Sequence, residues 1–200
     1  MTLRLEPLDK KSHDRKSFDC GLERVNEFLR REARKQMDKK INRTWVLVDD
    51  EPTNVLPVPV LGYFTLTSAT VVRDELPDQE TRSRYPAYPI PVIKLAWLGV
   101  DSKLHGSEHR YGETIVLEAL EEAYRIVQYT GMGIAVVTDP LTQSSDRFFK
   151  RYGFLPMGRQ FGDLQSLYLP MGTIGQLIDL PSREWSQPGI VARTSVQSFG

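Results

Sequence analysis

The alternation of hydrophobic and polar positions predicts several strands along this chain. Leu3–Leu8 alternates with the period of a half-buried strand, and Leu61–Val72 alternates well enough to pair as a hairpin with the β-branched and aromatic run Thr44–Val48. Two further runs, Ile90–Val100 and Ile134–Thr138, are mostly apolar without a clear alternation. They have the composition of strands that are buried on both faces. We therefore expect a central sheet whose most buried strands lie in the second half of the chain.

Apolar residues that recur three and four positions apart predict three helices. The first covers the region Leu22–Lys39, the second Gly112–Tyr129 and the third Ser144–Tyr152. Gly153 follows the third helix in the position of a C-cap glycine, and Phe154 opens a new strand. Strands that alternate with helices in this order predict a mixed α/β fold with one central sheet.

The remaining segments are expected to be connections and ends. Asp74–Pro89 is polar and interrupted by prolines, which predicts a long surface loop with at most a helical turn. Leu164–Leu169 predicts a last strand, and Thr173–Ile178 predicts a short closing helix. We expect residues 1–180 to form one domain, and the Ser-, Arg-, Gln- and Gly-rich residues 181–200 to form a poorly ordered tail.

The composition excludes several classes of protein. No apolar run is long enough for a membrane span, and the N-terminal residues lack the apolar core of a signal peptide, so we expect a soluble cytoplasmic protein. The single cysteine, Cys20, excludes an internal disulfide and fits a reducing compartment; its thiol is either a small buried group or a nucleophile. Because the chain has no CxxC, no HExxH and no clustered histidines, no metal site is expected.

Charge is balanced over the whole chain but concentrated locally. The sequence carries 26 Lys and Arg against 26 Asp and Glu, yet between Lys10 and Arg43 twelve Lys or Arg stand against six Asp or Glu. Such an excess is either the solvated face of a helix or a patch that binds a polyanion. The candidate nucleic-acid contacts lie away from the apolar side of the predicted helix: Arg30, Arg31, Arg34 and Lys35.

Two local patterns carry a resemblance to a known family. The stretch Ser145–Phe154, SDRFFKRYGF, is a short amphipathic helix that ends in a glycine and leads into a strand. Upstream, the apolar run Ile90–Val100 leads through Asp101 into a glycine-containing loop, His105–Gly112, directly before a helix. In this order, both patterns resemble the GNAT superfamily of N-acetyltransferases.

Further strings resemble one branch of that superfamily, the toxins that acetylate the amino group of aminoacyl-tRNA. They follow one another between Leu5 and Met171 and are Phe18–Gly21 FDCG, Asn26–Leu29 NEFL, Arg43–Val46 RTWV, Gly62–Leu66 GYFTL, Ile90–Val92 IPV and Leu98–Asp101 LGVD. The resemblance implies the GNAT acyl-CoA N-acyltransferase fold, a mixed and mostly antiparallel sheet whose central strands splay apart between flanking helices.

The resemblance also implies a site for acetyl-CoA as the acyl donor. In this family the pantetheine arm lies as an additional strand in the gap between two splayed parallel strands, here placed at Trp97–Val100 and Ile134–Val137. The pyrophosphate needs converging backbone N–H groups, which a glycine-rich loop before a helix N-terminus supplies. Arg110 occupies the central position, where the family usually has glycine, and its side chain either blocks the phosphates or binds them. The implied contacts are Leu98, Gly99, Val100, His105, Gly106, His109, Arg110, Tyr111, Gly112 and Glu113.

Catalysis in this family is direct attack of an amine on the thioester carbonyl. A backbone N–H of the central strand near Gly99 or Val100 is expected to bind the oxyanion, and we assign this role to Gly99. A tyrosine of the last helix commonly protonates the leaving thiolate, but Phe149 stands at that position here. Tyr152, three residues later, is either a substitute acid or a packing residue.

We therefore predict an acetyl-CoA-dependent N-acetyltransferase with an amine acceptor, and our specific hypothesis is the amino group of an aminoacyl-tRNA. The basic region Arg24–Arg43 would then contact tRNA phosphates, and a small ribbon-helix-helix antitoxin would be the protein partner. A homodimer is left open. Two alternatives remain: a non-catalytic GNAT-fold module that binds CoA or regulates, which Phe149 and Arg110 favour, and an acetyltransferase of a small-molecule or protein amine.

Overall fold

A computed structural model describes residues 3–50 and 56–178, so the predicted tail at 181–200 lies outside the described residues. The strands are β1 Leu3–Pro7, β2 His13–Asp14, β3 Asn42–Asp49, β4 Val58–Pro59, β5 Gly62–Val71, β6 Ile90–Val100, β7 Ala135–Thr138, β8 Leu155–Phe161 and β9 Leu164–Pro170. The helices are α1 Glu23–Glu27, α2 Ala33–Asp38, α3 Gln79–Ser83, α4 Tyr111–Thr130, α5 Gln143–Lys150 and α6 Met171–Ile178. A π-helical turn, Phe28–Glu32, joins α1 to α2, and short 3₁₀ turns cover Arg73–Glu75 and Ser102–Leu104.

Seven of these strands form one mixed sheet in the order β1-β3-β5-β6-β7-β9-β8. Neighbouring strands are antiparallel except for β6 and β7, which run parallel. The two-residue strands β2 and β4 pair separately. The predicted α/β class with a central, mostly antiparallel sheet is therefore confirmed, and the long apolar run of β6 lies in the middle of that sheet.

Helices bury the sheet on both faces. Successive side chains of a strand point to opposite faces, and in β3 Trp45 and Leu47 join one buried cluster while Val46 and Val48 join another. The first cluster contains the apolar side of α4, and the second contains that of the segment from α1 to α2. Within residues 3–50 and 56–178, no helix combines the length and the apolar character needed to cross a membrane.

Three local features are more detailed than the sequence prediction. The predicted first helix contains a π-helical turn. The predicted loop Asp74–Pro89 contains α3, which begins at Gln79 because the Asp78 side chain accepts a hydrogen bond from the backbone N–H of Thr81. The strand that Phe154 introduces is β8, which forms an antiparallel hairpin with β9 at one edge of the sheet.

The strands β6 and β7 diverge in the middle of the sheet. Their pairing covers Ile93–Leu95 opposite Val136–Thr138. β7 then ends, and Pro140 follows, whose ring nitrogen has no hydrogen to donate to a neighbouring strand. β6 continues to Val100, so that within the described residues its last five positions have no strand on the side of β7.

This geometry is compatible with one predicted wall of the cleft and corrects the other. Trp97–Val100 lie beyond the paired region, as predicted. Ile134–Val137 do not form the opposing wall, because their backbone groups are used within the sheet: Ile134 donates its N–H to Pro91 O at 3.1 Å, and the next residues pair with β6 and β9. The opposing wall is instead formed by α5 and the turn before it.

Candidate acyl-CoA site

A cavity of about 820 Å³ opens where β6 and β7 diverge. Its volume lies within the range of small-molecule sites, about 300–1,000 Å³. The walls come from the segment before α1, the end of β6, the loop before α4, and α5 with its N-terminal turn. The residues predicted from the sequence that line it are Leu98, Gly99, Val100, His105, Gly106, Arg110, Tyr111, Gly112 and Phe149. The predicted residues that do not line it are His109, Glu113 and Tyr152.

The direction of the backbone groups at the end of β6 follows from its register. Asp101 donates its N–H to Leu61 O at 2.9 Å, on the side of β5. Backbone groups alternate in direction along an antiparallel strand. Gly99, which is paired with Tyr63, therefore also faces β5, whereas Val100 faces the cavity. The Val100 carbonyl agrees with this direction, because it accepts a hydrogen bond from Nε2 of His105, in the loop, at 2.9 Å.

This register corrects the residue expected to bind the oxyanion. The N–H groups that point into the cavity belong to Val100 and, two residues earlier, to Leu98. The N–H of Gly99 points into the sheet. The sequence alone does not decide between neighbouring residues of a strand, since a shift of one position reverses every backbone direction.

Gly99 is needed for packing. A Cβ built on Gly99 would lie 3.0 Å from Cγ1 of Val25 and 3.3 Å from Cζ of Phe18. Because Gly99 has no side chain, α1 packs directly on the strand that forms the cavity wall.

We expect Gly99→Ala to lower the free energy of unfolding by about 1–3 kcal/mol, because the added methyl group displaces α1. Urea denaturation measures this loss. Gly172→Ala is the matched control, since a Cβ there meets nothing within 4 Å, and it should leave the stability unchanged or slightly higher. Equal stability of Gly99→Ala and the wild type would contradict the close packing.

The loop before α4 brings backbone donors to the same cavity. Arg110 is the N-cap residue of α4, and Glu113 donates its N–H to Arg110 O at 2.8 Å. The N–H of Gly112 has no acceptor within the described part of the chain. Since α4 is a helix of 20 residues, its N-terminal end also presents the positive end of the helix dipole. This is the donor set that an anionic group of a ligand requires.

Arg110 has a backbone conformation that favours glycine. Its φ of +47° and ψ of +47° are left-handed. Its side chain is 75% exposed, and its Nε lies 2.9 Å from Oε2 of Glu113. The guanidinium thus lies at the surface, beside the backbone donors. Neither His109, whose ring lies 5.9 Å from that of Tyr111, nor Glu113 lines the cavity.

We expect Arg110→Gly to be more stable than Arg110→Ala by about 1 kcal/mol, because only glycine adopts a left-handed conformation without a steric penalty. Thermal denaturation of the two variants measures this difference. Both should bind CoA more weakly than the wild type by about 1–3 kcal/mol in calorimetry, since a charged hydrogen bond to phosphate is lost. Unchanged or tighter binding by Arg110→Gly would show that the arginine obstructs the site.

Phe149 and Tyr152 have different surroundings. Phe149 lines the cavity from α5, is 5% exposed, and its ring lies 5.4 Å from those of Phe148 and Phe154. Tyr152 follows the end of α5, outside the cavity lining, with its ring 5.1 Å from that of Phe148. The structure therefore favours a packing role for Tyr152 and leaves Phe149 at the position of the expected acid.

The turn that precedes α5 was not predicted from the sequence. The backbone N–H of Ser145 donates to Oγ1 of Thr142, and the N–H of Thr142 donates to Oγ of Ser145, each at 3.0 Å. Both residues line the cavity, together with Leu22 and Phe148. A threonine three residues before a serine at the start of an amphipathic helix is a capping pattern that identifies such a turn in a sequence.

Cys20 lines the cavity but is not suited to act as a nucleophile. Burial raises the pKa of its thiol, which is therefore protonated at neutral pH. The raised pKa favours the interpretation of Cys20 as a small packing residue. Among residues 3–50 and 56–178, no three His, Cys, Asp or Glu side chains are grouped so as to hold a metal ion.

An ion pair joins the strands at the base of the cleft. Nζ of Lys94 lies 2.5 Å from Oδ2 of Asp139, and Oγ of Ser166 donates to Oδ1 of Asp139 at 2.5 Å. Burial alone would raise the pKa of Asp139, but the hydrogen bonds from Lys94 and Ser166 outweigh it and hold the pKa below its usual range. The charged carboxylate thus fixes β6, the end of β7 and β9 to one another where the cleft begins.

The four predicted nucleic-acid residues lie on one helical segment, and each has an acidic neighbour. The pairs are Arg30–Glu23, Arg31–Glu27, Arg34–Asp38 and Lys35–Glu32, with N–O distances of 2.8–3.4 Å. Arg30 also donates to Phe18 O at 2.7 Å, so its guanidinium is turned towards the protein. Arg31 and Lys35 have the most exposed side chains of the four. The acidic partners weaken the positive field expected from the sequence.

The chain is similar in sequence and in structure to proteins described as toxins or probable toxins. No protein-family model matches the chain. The probable toxin TacT of Sinorhizobium fredii is 25% identical over 180 residues, which cover 87% of this chain and 94% of TacT. A tyrosine-to-phenylalanine mutant of KacT superposes with a TM-score of 0.77 at 27% identity, covering 88% of this chain and 99% of KacT. AtaT in complex with acetyl-methionyl-tRNAfMet superposes with a TM-score of 0.76 at 28% identity, covering 88% of this chain and 99% of AtaT.

The chain is a homologue of these toxins and has their GNAT fold. The resemblance carried by the SDRFFKRYGF and LGVD segments is thereby confirmed, since similarity extends over nearly the whole of each relative. The roles of individual site residues stay predictions.

Proposed function

We propose that this protein is an acetyl-CoA-dependent N-acetyltransferase that acts on the amino group of an aminoacyl-tRNA, as the toxin of a toxin–antitoxin pair. The cavity at the divergence of β6 and β7 carries the proposal, because it joins unpaired strand amides to the N-terminus of a long helix. The likeness to AtaT, which is known in complex with acetyl-methionyl-tRNAfMet, supports the acceptor. AtaT is also known with acetyl-CoA and the C-terminus of its antitoxin AtaR, which supports the donor and the partner.

In the proposed complex, different residues of the site contact different parts of acetyl-CoA. The pantetheine arm extends beside Leu98 and Val100, whose backbone groups face the gap that a further strand would fill. The pyrophosphate lies against the N–H of Gly112 and the loop from His105 to Arg110, where helix dipole and backbone donors favour an anion. Arg110 is placed to add its charge from the rim.

The proposed chemistry is acyl transfer in one active site. The lone pair of the neutral amine attacks the thioester carbonyl, so that a C–N bond forms, and the N–H of Val100 stabilises the oxyanion. The C–S bond then breaks, CoA leaves as a thiolate that takes up a proton, and the new amide loses one proton to solvent. Phe149 cannot donate the proton to sulfur, but a thiol with a pKa of about 8.5 is a fair leaving group at neutral pH. We therefore expect a slow enzyme.

The expected partners follow from this assignment. Charged tRNA is a cytoplasmic substrate, which agrees with a chain that carries a single cysteine. A small ribbon-helix-helix protein remains the expected antitoxin. Homologous toxin–antitoxin assemblies bind DNA, as the KacTA–DNA complex does.

A second candidate function is a non-catalytic module that binds CoA. Phe149 at the position of the expected acid favours it, because a missing general acid typically lowers a rate by ~10²–10⁴. An acetyltransferase of a small-molecule or protein amine is the third candidate, and the acidic partners of the basic helical residues favour it, since they weaken an RNA-binding field.

Two measurements on the wild-type chain distinguish these functions. Calorimetric titration with acetyl-CoA and with desulfo-CoA tests the donor site, and transfer of labelled acetyl groups to methionyl-tRNA, uncharged tRNA and a peptide amine tests the acceptor. We expect binding of both CoA compounds, transfer to methionyl-tRNA with a much higher kcat/KM than to a small amine, and no transfer to uncharged tRNA. Binding without transfer to any amine would leave the non-catalytic module. Absence of binding at millimolar CoA would exclude both enzymes.

A further inference from the structure

Arg24 differs from the other arginines of its helical segment. Its guanidinium lies 5.7 Å from the centre of the Trp97 ring and 5.9 Å from that of Phe161. Within the described residues it forms no ion pair with a carboxylate, whereas Arg30, Arg31 and Arg34 each do. Its charge is thus available to a ligand.

Arg24 lines a second cavity, of about 360 Å³, on the far side of the cleft. The tip of the β8–β9 hairpin, with Phe161 and Asp163, forms another part of its wall, and Gln143 of α5 a third. A narrow space of about 50 Å³ lies between this cavity and the acyl-CoA cavity. That space shares Leu98 and Phe149 with the acyl-CoA cavity, and Pro140 and Leu141 with the cavity of Arg24.

The three spaces therefore lie next to one another along the gap between the diverging strands. The acyl donor occupies one end, so that an acceptor amine must reach the thioester from the other. An acceptor that enters beside Arg24 meets a guanidinium whose two neighbours are aromatic rings. Stacking on rings orients a guanidinium while its N–H edges stay directed outward, where they match the oxygens of a phosphate.

We propose that Arg24, oriented by Trp97 and Phe161, binds a phosphate of the acceptor strand next to the reacting amine. This rests on the proposed function, in which the acceptor is an aminoacyl ester at the 3′ end of tRNA. The ring of Trp97 is itself held by Phe28, at 4.5 Å between ring centres and 14° between planes, so the contact is built on a rigid support. Arg24 then has a role distinct from that of the acid-paired residues further along the helix.

The test compares acetyl transfer to methionyl-tRNA with transfer to methionine amide, which has no phosphate. Arg24→Gln should lower kcat/KM for methionyl-tRNA roughly tenfold more than for methionine amide, mainly through KM. The salt dependence of tRNA binding should lose about one unit of slope. Arg24→Lys should recover part of the loss, because it restores the charge without the planar fork. Arg125→Gln, which removes an exposed charge on α4, is the matched control and should change neither ratio.

Arg31→Gln tests whether any exposed arginine of this helical segment has the same effect as Arg24. The side chain of Arg31 is 72% exposed, but it is paired with Glu27. A loss with Arg31→Gln as large as that with Arg24→Gln would overturn the proposal, as would equal losses of Arg24→Gln on both acceptors. If the wild type acetylates neither acceptor, the proposed function fails. The inference is then decided by direct binding of labelled methionyl-tRNA, where Arg24→Gln must bind more weakly than Arg125→Gln. No binding of tRNA by the wild type would overturn it.

Discussion

Phe149→Tyr should raise the rate of acetyl transfer, by up to ~10²-fold if proton donation to the leaving thiolate limits the reaction. Phe149 lines the acyl-CoA cavity from α5, and only 5% of the residue is exposed. Leu98 and Phe149 line both the acyl-CoA cavity and the narrow space beside it, so a hydroxyl on this ring is expected close to the sulfur of CoA in the proposed complex. Single-turnover transfer from acetyl-CoA, measured at saturating donor, isolates the chemical step.

Phe154→Tyr is the matched control for Phe149→Tyr. It adds the same hydroxyl to a neighbouring ring that is 2% exposed and does not line the cavity. We expect it to lose about 1–3 kcal/mol of stability, because the hydroxyl is buried without a partner, and to gain no activity. A wild type that turns over at the same rate as Phe149→Tyr would show that thiolate departure needs no acid at this position. Tyr152→Phe would then test whether the tyrosine three residues later supplies the proton.

Most of the sheet could be predicted from the sequence because its strands are either apolar runs or clear alternations. The pairing of β8 with β9 as a hairpin was not predicted, although its turn has a recognisable signal. Gly162 and Asp163 separate the two strands, and Gly162 has a φ of +60°, as glycine in a two-residue hairpin turn does. The hairpin matters for function, because Phe161 at its tip lies beside Arg24.

A sequence pattern identifies some residues of the site, but it does not give the direction of their backbone groups or the contacts of their side chains. The loop before α4 could be found, since a glycine-containing loop between an apolar run and a helix is a typical phosphate-binding arrangement. The direction of the Val100 N–H could not, because it depends on the hydrogen bond from Asp101 to Leu61, residues that are far apart in sequence. Whether the charge of a basic residue is available to a ligand also depends on the side chains around it. The spacing of Glu27 and Arg31 predicts an ion pair, whereas only the fold brings Phe161 to Arg24.

Gly112→Asp should abolish CoA binding while leaving the fold intact. A Cβ built on Gly112 lies 3.5 Å from Cε2 of Phe148, an ordinary contact, so that the free protein tolerates a side chain there. A carboxylate in the first turn of α4 interacts favourably with the helix dipole, so the stability should be equal to that of the wild type or higher. Towards a pyrophosphate about 4 Å away, the same charge is repulsive by roughly 4 kcal/mol at an effective dielectric constant of about 20, which corresponds to ~10³-fold in affinity.

Gly112→Asp tests where the phosphates of CoA lie, because it should keep or raise the stability of the free protein while it lowers the affinity for CoA. Calorimetric titration with CoA gives the affinity, and thermal denaturation without ligand gives the stability. Gly112→Asn has nearly the same shape without the charge, so its affinity separates the steric part of the loss from the electrostatic part. The CoA affinity of Gly112→Ala shows how much binding depends on the close approach of the phosphates to the backbone of residue 112, because alanine adds only a methyl group. If Gly112→Asp binds CoA within a factor of ~3 of the wild type, the pyrophosphate does not lie at the N-terminus of α4, because a charge within ~4 Å could not have so small an effect.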